Sequence, residues 1–196
     1  MAEPSYTRLQ VDERRQQLLE LGTELFARHP YDKLSMARIA REAGISKALL
    51  YHYFPSKSGY FQATLTAAAK DLQKRTEPLA NLPPAEALAA SLDAFLGWIE
   101  ENELAYRRLM QSAGSVPEVE GLISGVRQGT AQRLIEGLAP DPTPPVRAAV
   151  QGWLWLMDGV CLDWLDHRDM DREQVNGLLL GSLFGALTAG GWQPPE

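Results

Sequence analysis

Apolar positions recur at intervals of three and four along most of the chain, which is the pattern of amphipathic helices. Ser35 and Ser46 precede two such segments as candidate caps, and Gly44 is suited to end the helix between them. Sustained period-two alternation, the mark of a strand, is not found. The pattern predicts an all-α protein of about nine helices, near residues 12–29, 36–43, 47–53, 56–76, 85–101, 103–113, 117–138, 146–167 and 172–190.

The segment SMARIAREAGISKALLYHYFPSK, from Ser35 to Lys57, predicts two short helices that meet across a glycine-containing turn. This is the helix-turn-helix arrangement, in which the second helix enters the major groove of DNA. Ile39, Ala40, Ile45 and Leu50 are expected to face inward. The outer side of the second helix carries Lys47, Ala48, Leu49, Tyr51 and His52.

The run GISKALLYHYFPSK, with an Ile-Ala pair upstream of its glycine, resembles the signature of tetracycline-repressor-type (TetR family) regulators. The likeness covers about residues 12–61, and the remainder resembles the family in helical content and length. It implies an N-terminal three-helix DNA-binding unit joined to a larger helical ligand-binding and dimerisation bundle. Position 58 departs from the family, because it is a serine where an acidic residue is common.

The resemblance also implies roles for individual residues. Ser35 and Arg38 would contact the DNA backbone or groove edge, and Lys47 would lie close enough to donate to guanine. Phosphates would be gripped mainly by Tyr51, His52, Tyr53 and Lys57. Alternatives stay open, because Lys47 and His52 could be ordinary exposed side chains and Tyr53 could belong to the core. The expected DNA-binding residues are Ser35, Arg38, Ser46, Lys47, Ala48, Leu49, Tyr51, His52, Tyr53 and Lys57.

The formal net charge of −6 at first disfavours a nucleic-acid partner. The charge is unevenly distributed, because residues 1–60 carry nine basic and seven acidic side chains, giving +2, and residues 61–196 carry ten and eighteen, giving −8. A weakly basic DNA-binding domain over 1–60 and an acidic ligand-binding and dimerisation domain over 61–196 fit this asymmetry.

Two helices near the end of the chain predict a homodimer. In the helix at 146–167, apolar residues are spaced four and three apart like a coiled-coil seam, and the helix at 172–190 carries glycines at four-residue intervals. Interior glycines weaken a helix, which suggests close approach of another helix, either in the partner subunit or within one subunit. The expected interface residues are Val150, Trp153, Gly177, Gly181, Phe184 and Gly185.

Aromatic and sulfur-containing side chains in the second domain suggest, as a set, a pocket for a small hydrophobic or amphipathic effector, although any one of them alone is more often part of a core. Trp153 and Trp155 cannot face the same way on one helix. Asp158 could favour a cationic ligand or lie on an exposed stripe. The expected pocket residues are Trp98, Tyr106, Met110, Trp153, Trp155, Met157, Asp158 and Cys161.

The function predicted from these features is regulation of transcription, as a repressor released from a near-palindromic operator in double-stranded DNA by a small ligand. The alternative is a DNA-binding protein of the same fold that is controlled by a protein partner or organises the chromosome. Three dispersed histidines and the absence of a nucleophile or phosphate-loop motif argue against an enzyme, a cofactor or a metal site. With no signal-peptide pattern and a longest apolar run of about 14 residues, too short for the roughly 20 of a membrane span, a cytoplasmic protein without membrane contact is expected.

Overall fold

The computed structural model describes residues 4–77, 82–114, 116–139 and 141–193. Within these ranges the chain forms α-helices and a single-turn 3-10 helix at Tyr31–Lys33, without a strand, which confirms the predicted fold class. The helices are α1 (Pro4–Arg28), α2 (Met36–Glu42), α3 (Lys47–Tyr53), α4 (Lys57–Arg75), α5 (Pro84–Glu101), α6 (Glu103–Ser112), α7 (Pro117–Leu138), α8 (Pro144–His167) and α9 (Arg172–Ala189). Residues 1–3, 78–81, 115, 140 and 194–196 of the two predicted domains lie outside the described residues.

The first of two compact units comprises the chain up to Asp71 together with Leu104–Leu122. Its core joins α1 to α4 through aromatic rings, with the Phe26 and Phe61 centroids 4.5 Å apart. Tyr60 is fully buried, and its hydroxyl donates a hydrogen bond to the Leu18 carbonyl at 2.5 Å. Burial of these large side chains stabilises the packing of α1 against α4, which supports α2 and α3.

The second unit comprises Leu72–Glu103 and the chain from Ile123 onward. Its core includes one face of α9, where leucines and a valine at four-residue spacing are all fully buried: Val175, Leu179, Leu183 and Leu187. On α8 the Trp153 indole N–H donates to the Leu179 carbonyl at 2.8 Å. This bond satisfies the one polar group of a side chain that is otherwise buried among apolar atoms.

The seam predicted along α8 packs inside the subunit, so its assignment to a dimer interface is wrong for two residues. Val150 and Trp153 are both buried within the second unit, and Trp153 contacts α9 of the same chain. The three-and-four spacing correctly identified a buried face. The spacing could not show which helix covers that face, and the structure shows that it is α9 of the same chain.

The start of the first helix also differs from the expectation, because α1 begins at Pro4 and Asp12 lies inside it. Proline is well suited to a first helical position, where its missing N–H leaves no hydrogen bond unmade. Among the residues that the structure describes, no helix is both long and apolar enough to cross a membrane.

Candidate nucleic-acid interface

The turn between α2 and α3 is fixed by a glycine in a left-handed conformation. Gly44 has φ +64°, a value at which a side chain would be strained. The Ile45 N–H then donates to the Ala40 carbonyl at 3.0 Å, which closes the turn. Ile39, Ala40 and Leu50 are buried beneath it, so the two helices are held at a fixed angle from below.

Both helices of the motif begin at a serine whose side chain caps the helix. Ser35 Oγ accepts from the Arg38 N–H at 3.2 Å, and Ser46 Oγ accepts from the Leu49 N–H at 3.1 Å. Such caps satisfy backbone donors that the helix itself leaves unpaired. The two hydroxyl groups are therefore primarily structural, and the backbone amides around them define where an anion could approach.

The outer face of α3 presents the side chains that the sequence assigned to it: Lys47, Ala48, Leu49, Tyr51 and His52, all exposed. Leu49 and Tyr51 are large apolar or aromatic residues and are 39% and 41% exposed. The Lys47 ammonium lies 5.7 Å from the centre of the Tyr51 ring. Tyr53 is half-buried and meets His52 edge to face. The face thus combines a cation on a long side chain with apolar contact area, which suits base edges and thymine methyl groups.

Arg38 is held in place from the end of α1 and from its own helix. One of its Nη atoms lies 2.8 Å from His29 Nε2, and its Nε lies 4.0 Å from a carboxylate oxygen of Glu42. A neutral His29 with its proton on Nδ1 can accept at Nε2 from the guanidinium. The side chain is half-buried, so Arg38 is positioned before any DNA is bound.

Lys57 differs from the expectation that it grips a phosphate. Its ammonium donates to the Tyr31 carbonyl at 3.1 Å and to the Leu34 carbonyl at 3.2 Å, and it lies 4.0 Å from the centre of the Tyr31 ring. These partners hold the ammonium within the protein. The structure therefore gives Lys57 the task of fastening the segment before α2 to the start of α4.

Next to it, the Ser58 hydroxyl donates to the Glu118 carboxylate of α7. This bond lies within the first unit and joins residues 60 positions apart in the chain. The pKa of Glu118 is lowered, mainly by that hydrogen bond and secondly by a backbone one. Sequence reasoning missed Glu118, because nothing in the local pattern links it to Ser58.

The residues expected to line a pocket differ in the unit they belong to and in how deeply they are buried. Tyr106 and Met110 belong to the first unit and the other six to the second. Trp153 and Cys161 are buried in the core, whereas Trp98 and Met157 are half-buried. Trp155 is 65% exposed and therefore unsuited to an interior wall. Trp153 and Trp155 of α8 face different ways, as their spacing predicted.

Asp158 is neither an unmatched charge for a cationic ligand nor part of an exposed stripe. Its carboxylate accepts from Arg127 of α7, with the Arg127 Nε at 3.0 Å, and the side chain is only 14% exposed. The same guanidinium lies 3.8 Å from the centre of the Trp155 ring. The pair is thus internally neutral, and its effect is to attach α7 to the outer side of α8.

The three glycines of α9 that were expected at a dimer interface lie on an open face of the helix. A Cβ built on Gly177, Gly181 or Gly185 meets no atom of the described residues within 4 Å. Phe184 is half-buried, with its ring centre 5.8 Å from that of Trp192. Three large apolar side chains of α8 and α9 are exposed, namely Trp155, Leu156 and Leu178. Packing among the described parts of the subunit therefore does not account for these glycines.

Comparison with known proteins extends the likeness to both parts of the chain. Residues 18–64 match the family described as bacterial regulatory proteins, tetR family, and residues 84–186 match the tetracyclin repressor-like C-terminal domain. MftR of Mycobacterium tuberculosis, a proposed mycofactocin biosynthesis transcriptional regulator, is 27% identical over 179 residues, or 87% of each chain. The nucleoid occlusion factor SlmA of Mannheimia succiniciproducens is 39% identical over 66 residues, 33% of this chain and 31% of SlmA. A tetR-family transcriptional regulator from Streptomyces coelicolor, a solved structure, is 28% identical with a TM-score of 0.80, covering 92% of this chain and 82% of that one.

The helix-turn-helix on an all-helical body defines a DNA-binding regulator of transcription and not an enzyme. The chain belongs to the TetR family, because a family match extends over more than half of it and a second covers the helix-turn-helix. Regulators of this family bind operator DNA and act as dimers.

Proposed function

We propose that this regulator is a repressor that leaves a near-palindromic operator when a small hydrophobic or amphipathic ligand binds its second domain. The observation that carries the DNA-binding part is the outer face of α3, where Lys47, Leu49 and Tyr51 are exposed to solvent. In this proposal residues 1–60 form the DNA-binding domain, and residues 61–196 bind the ligand and the partner subunit.

The outer face of α8 and α9 supports a dimer. Trp155, Leu156 and Leu178 are 65%, 43% and 49% exposed, an apolar surface that is costly to leave in water. The open glycines of α9 allow the backbone of another helix to approach closely. Pairing this face with its copy across a two-fold axis would give a dimer with two α3 helices, and two-fold dimers of this kind read half-sites about 34–36 Å apart.

The dimer face is tested with Gly181→Arg, which should yield a monomer in sedimentation and lose binding to a two-half-site DNA. Gly125→Arg on α7 is the matched control, because it too is a helix-interior glycine whose built Cβ meets no atom of the described residues within 4 Å. We expect the control to remain dimeric. A dimeric Gly181→Arg protein would contradict this face as the interface.

Release by a ligand is supported by the family and by the tryptophans of the second unit. Binding should quench the fluorescence of the half-buried Trp98, and the same compound should dissociate the protein from DNA, since a ligand must bind the two states unequally to shift them. The test is a compound-library titration on the protein–DNA complex. Quenching without dissociation would refute the repressor mechanism.

The alternative, a DNA-binding protein controlled by a protein partner or active in chromosome organisation, rests on SlmA. Its likeness covers only 33% of this chain, whereas that of MftR covers 87%. The wider coverage favours a transcription regulator. Mapping bound sites on the chromosome separates the two, because a regulator occupies a few sites beside genes and an organising protein occupies many dispersed ones.

A further inference from the structure

Three segments that are distant in the chain meet at the start of α4. The Lys57 ammonium holds the carbonyls of Tyr31 and Leu34, which lead into α2, and Ser58 donates to the Glu118 carboxylate at the start of α7. All of these residues belong to the first unit. The segment that leads into the helix-turn-helix is therefore fastened to α4, and α4 in turn is fastened to α7.

Two interactions stabilise the Glu118 carboxylate at this position: the hydrogen bond from Ser58 and the favourable placement of its charge at a helix start. Glu118 lies in the first turn of α7, where the helix dipole favours an anion. Burial raises the pKa of the nearby Tyr31 phenol, and the charge of Glu118 raises it further. The anion is thus close to the ring on which the Lys57 ammonium rests.

We propose that Glu118 is a positioning residue for DNA binding. Its carboxylate holds the first turn of α4 through Ser58, and this keeps the Lys57 ammonium in place to bond the Tyr31 and Leu34 carbonyls before α2. Glu118 lies outside the residues 18–64 that match the family's DNA-binding region. The proposal requires DNA binding alone and is independent of release by a ligand.

The sign of the effect separates positioning from simple electrostatics. DNA is a polyanion, so removing a negative charge from the protein should by itself leave affinity unchanged or raise it. If Glu118 positions the helix-turn-helix, Glu118→Ala should instead weaken binding to the specific DNA site. A lost hydrogen bond to a charged group corresponds to a loss of affinity of about tenfold. Glu118→Gln retains an acceptor for Ser58 and should recover most of that loss.

Glu120→Ala is the matched control, because Glu120 lies on the same first turn of α7 and is exposed. It removes the same charge without touching Ser58, so its affinity should equal or exceed that of the unmodified protein. Ser58→Ala should reproduce the loss seen in Glu118→Ala. The double variant should lose no more than either single one, because both remove the same contact.

The assay is fluorescence anisotropy of the full-length protein on a DNA site selected from random sequence, repeated over a series of salt concentrations. We expect the Glu118→Ala salt slope to be unchanged, since no phosphate contact is removed. The proposal is overturned if Glu118→Ala binds as well as Glu120→Ala, or if the losses of Glu118→Ala and Ser58→Ala multiply. Melting temperatures identify a variant that fails to fold, in which case Ser58→Ala and Glu118→Gln carry the test. Failure of the unmodified protein to select any site would refute DNA binding itself.

Discussion

Gly22, in the middle of α1, is the position where a single methyl group should do the most damage to the first unit. A Cβ built there lies 2.5 Å from Thr64 Oγ1, 2.7 Å from Tyr60 Oη and 2.9 Å from Tyr60 Cζ. All three distances are below ordinary contact. Tyr60 is fully buried and its hydroxyl is bonded to the Leu18 carbonyl, so the ring cannot move aside without breaking that bond.

The free-energy terms for Gly22→Ala have opposite signs. Alanine is a better helix former than glycine by about 1 kcal/mol. Overpacking a buried site costs about 1–3 kcal/mol, and leaving a buried hydrogen-bonding group unpaired costs about 1–3 kcal/mol more. The net expectation is a loss of about 3 kcal/mol, equivalent to a fall in melting temperature of about 10 °C for a chain of this size.

The control is Gly125→Ala on α7, where a Cβ meets no atom of the described residues within 4 Å. Only the helix-propensity term applies there, so the same substitution should stabilise the protein by about 1 kcal/mol. Urea unfolding followed by circular dichroism compares the two, with the midpoint and the slope both recorded. A Gly22→Ala protein as stable as the unmodified one would show that α1 and α4 are not in such close contact.

Three further outcomes are expected. His29→Ala should weaken DNA binding a few-fold because the Arg38 guanidinium loses its support, and His29→Gln should restore it; equal affinity of both with the unmodified protein would argue against a positioned Arg38. Lys57→Met should lower the melting temperature while changing the salt slope of DNA binding by much less than one unit per protomer, since its ammonium bonds to carbonyls; a fall of a full unit would restore the phosphate assignment. The pKa of His167 is raised, chiefly by its hydrogen bond to the Asp163 carbonyl and also by the Asp163 charge, so its stabilising effect is full below the unfolded pKa and vanishes as pH rises through the folded one. His167→Gln should therefore lower the urea midpoint at pH 5.5 and leave it unchanged at pH 9, and a deficit that grew with pH would contradict this.

The features that sequence predicted well are those decided within a few residues. Ser35 and Ser46 cap their helices by bonding to an N–H three positions on, and Gly44 adopts the positive φ expected of a turn. Such signals need no knowledge of the rest of the chain. For the same reason the helix-turn-helix was located correctly, with Ile39, Ala40 and Leu50 buried as expected, although Ile45 is only half-buried.

The features that sequence predicted poorly depend on which surface a helix meets. Apolar spacing on α8 shows that one face is buried, and both α9 of the same chain and a helix of a partner would satisfy it. The glycine spacing of α9 was ambiguous in the same way. The two helices differ in the structure: Val150 and Trp153 are covered by their own subunit, whereas a Cβ on Gly181 meets no atom of the described residues within 4 Å.

Long-range polar partners were beyond prediction, and they change how the charge of the DNA-reading region should be understood. Lys57 and Arg38 both count toward its net +2, yet each donates hydrogen bonds or lies close to acceptors inside the protein. Carbonyl oxygens do not neutralise an ammonium, so Lys57 still attracts DNA at a distance, although its donors are committed elsewhere. Attraction at a distance and direct contact therefore need not involve the same residues: Lys57 contributes to the first, and we expect Lys47, exposed on α3, to contribute to both.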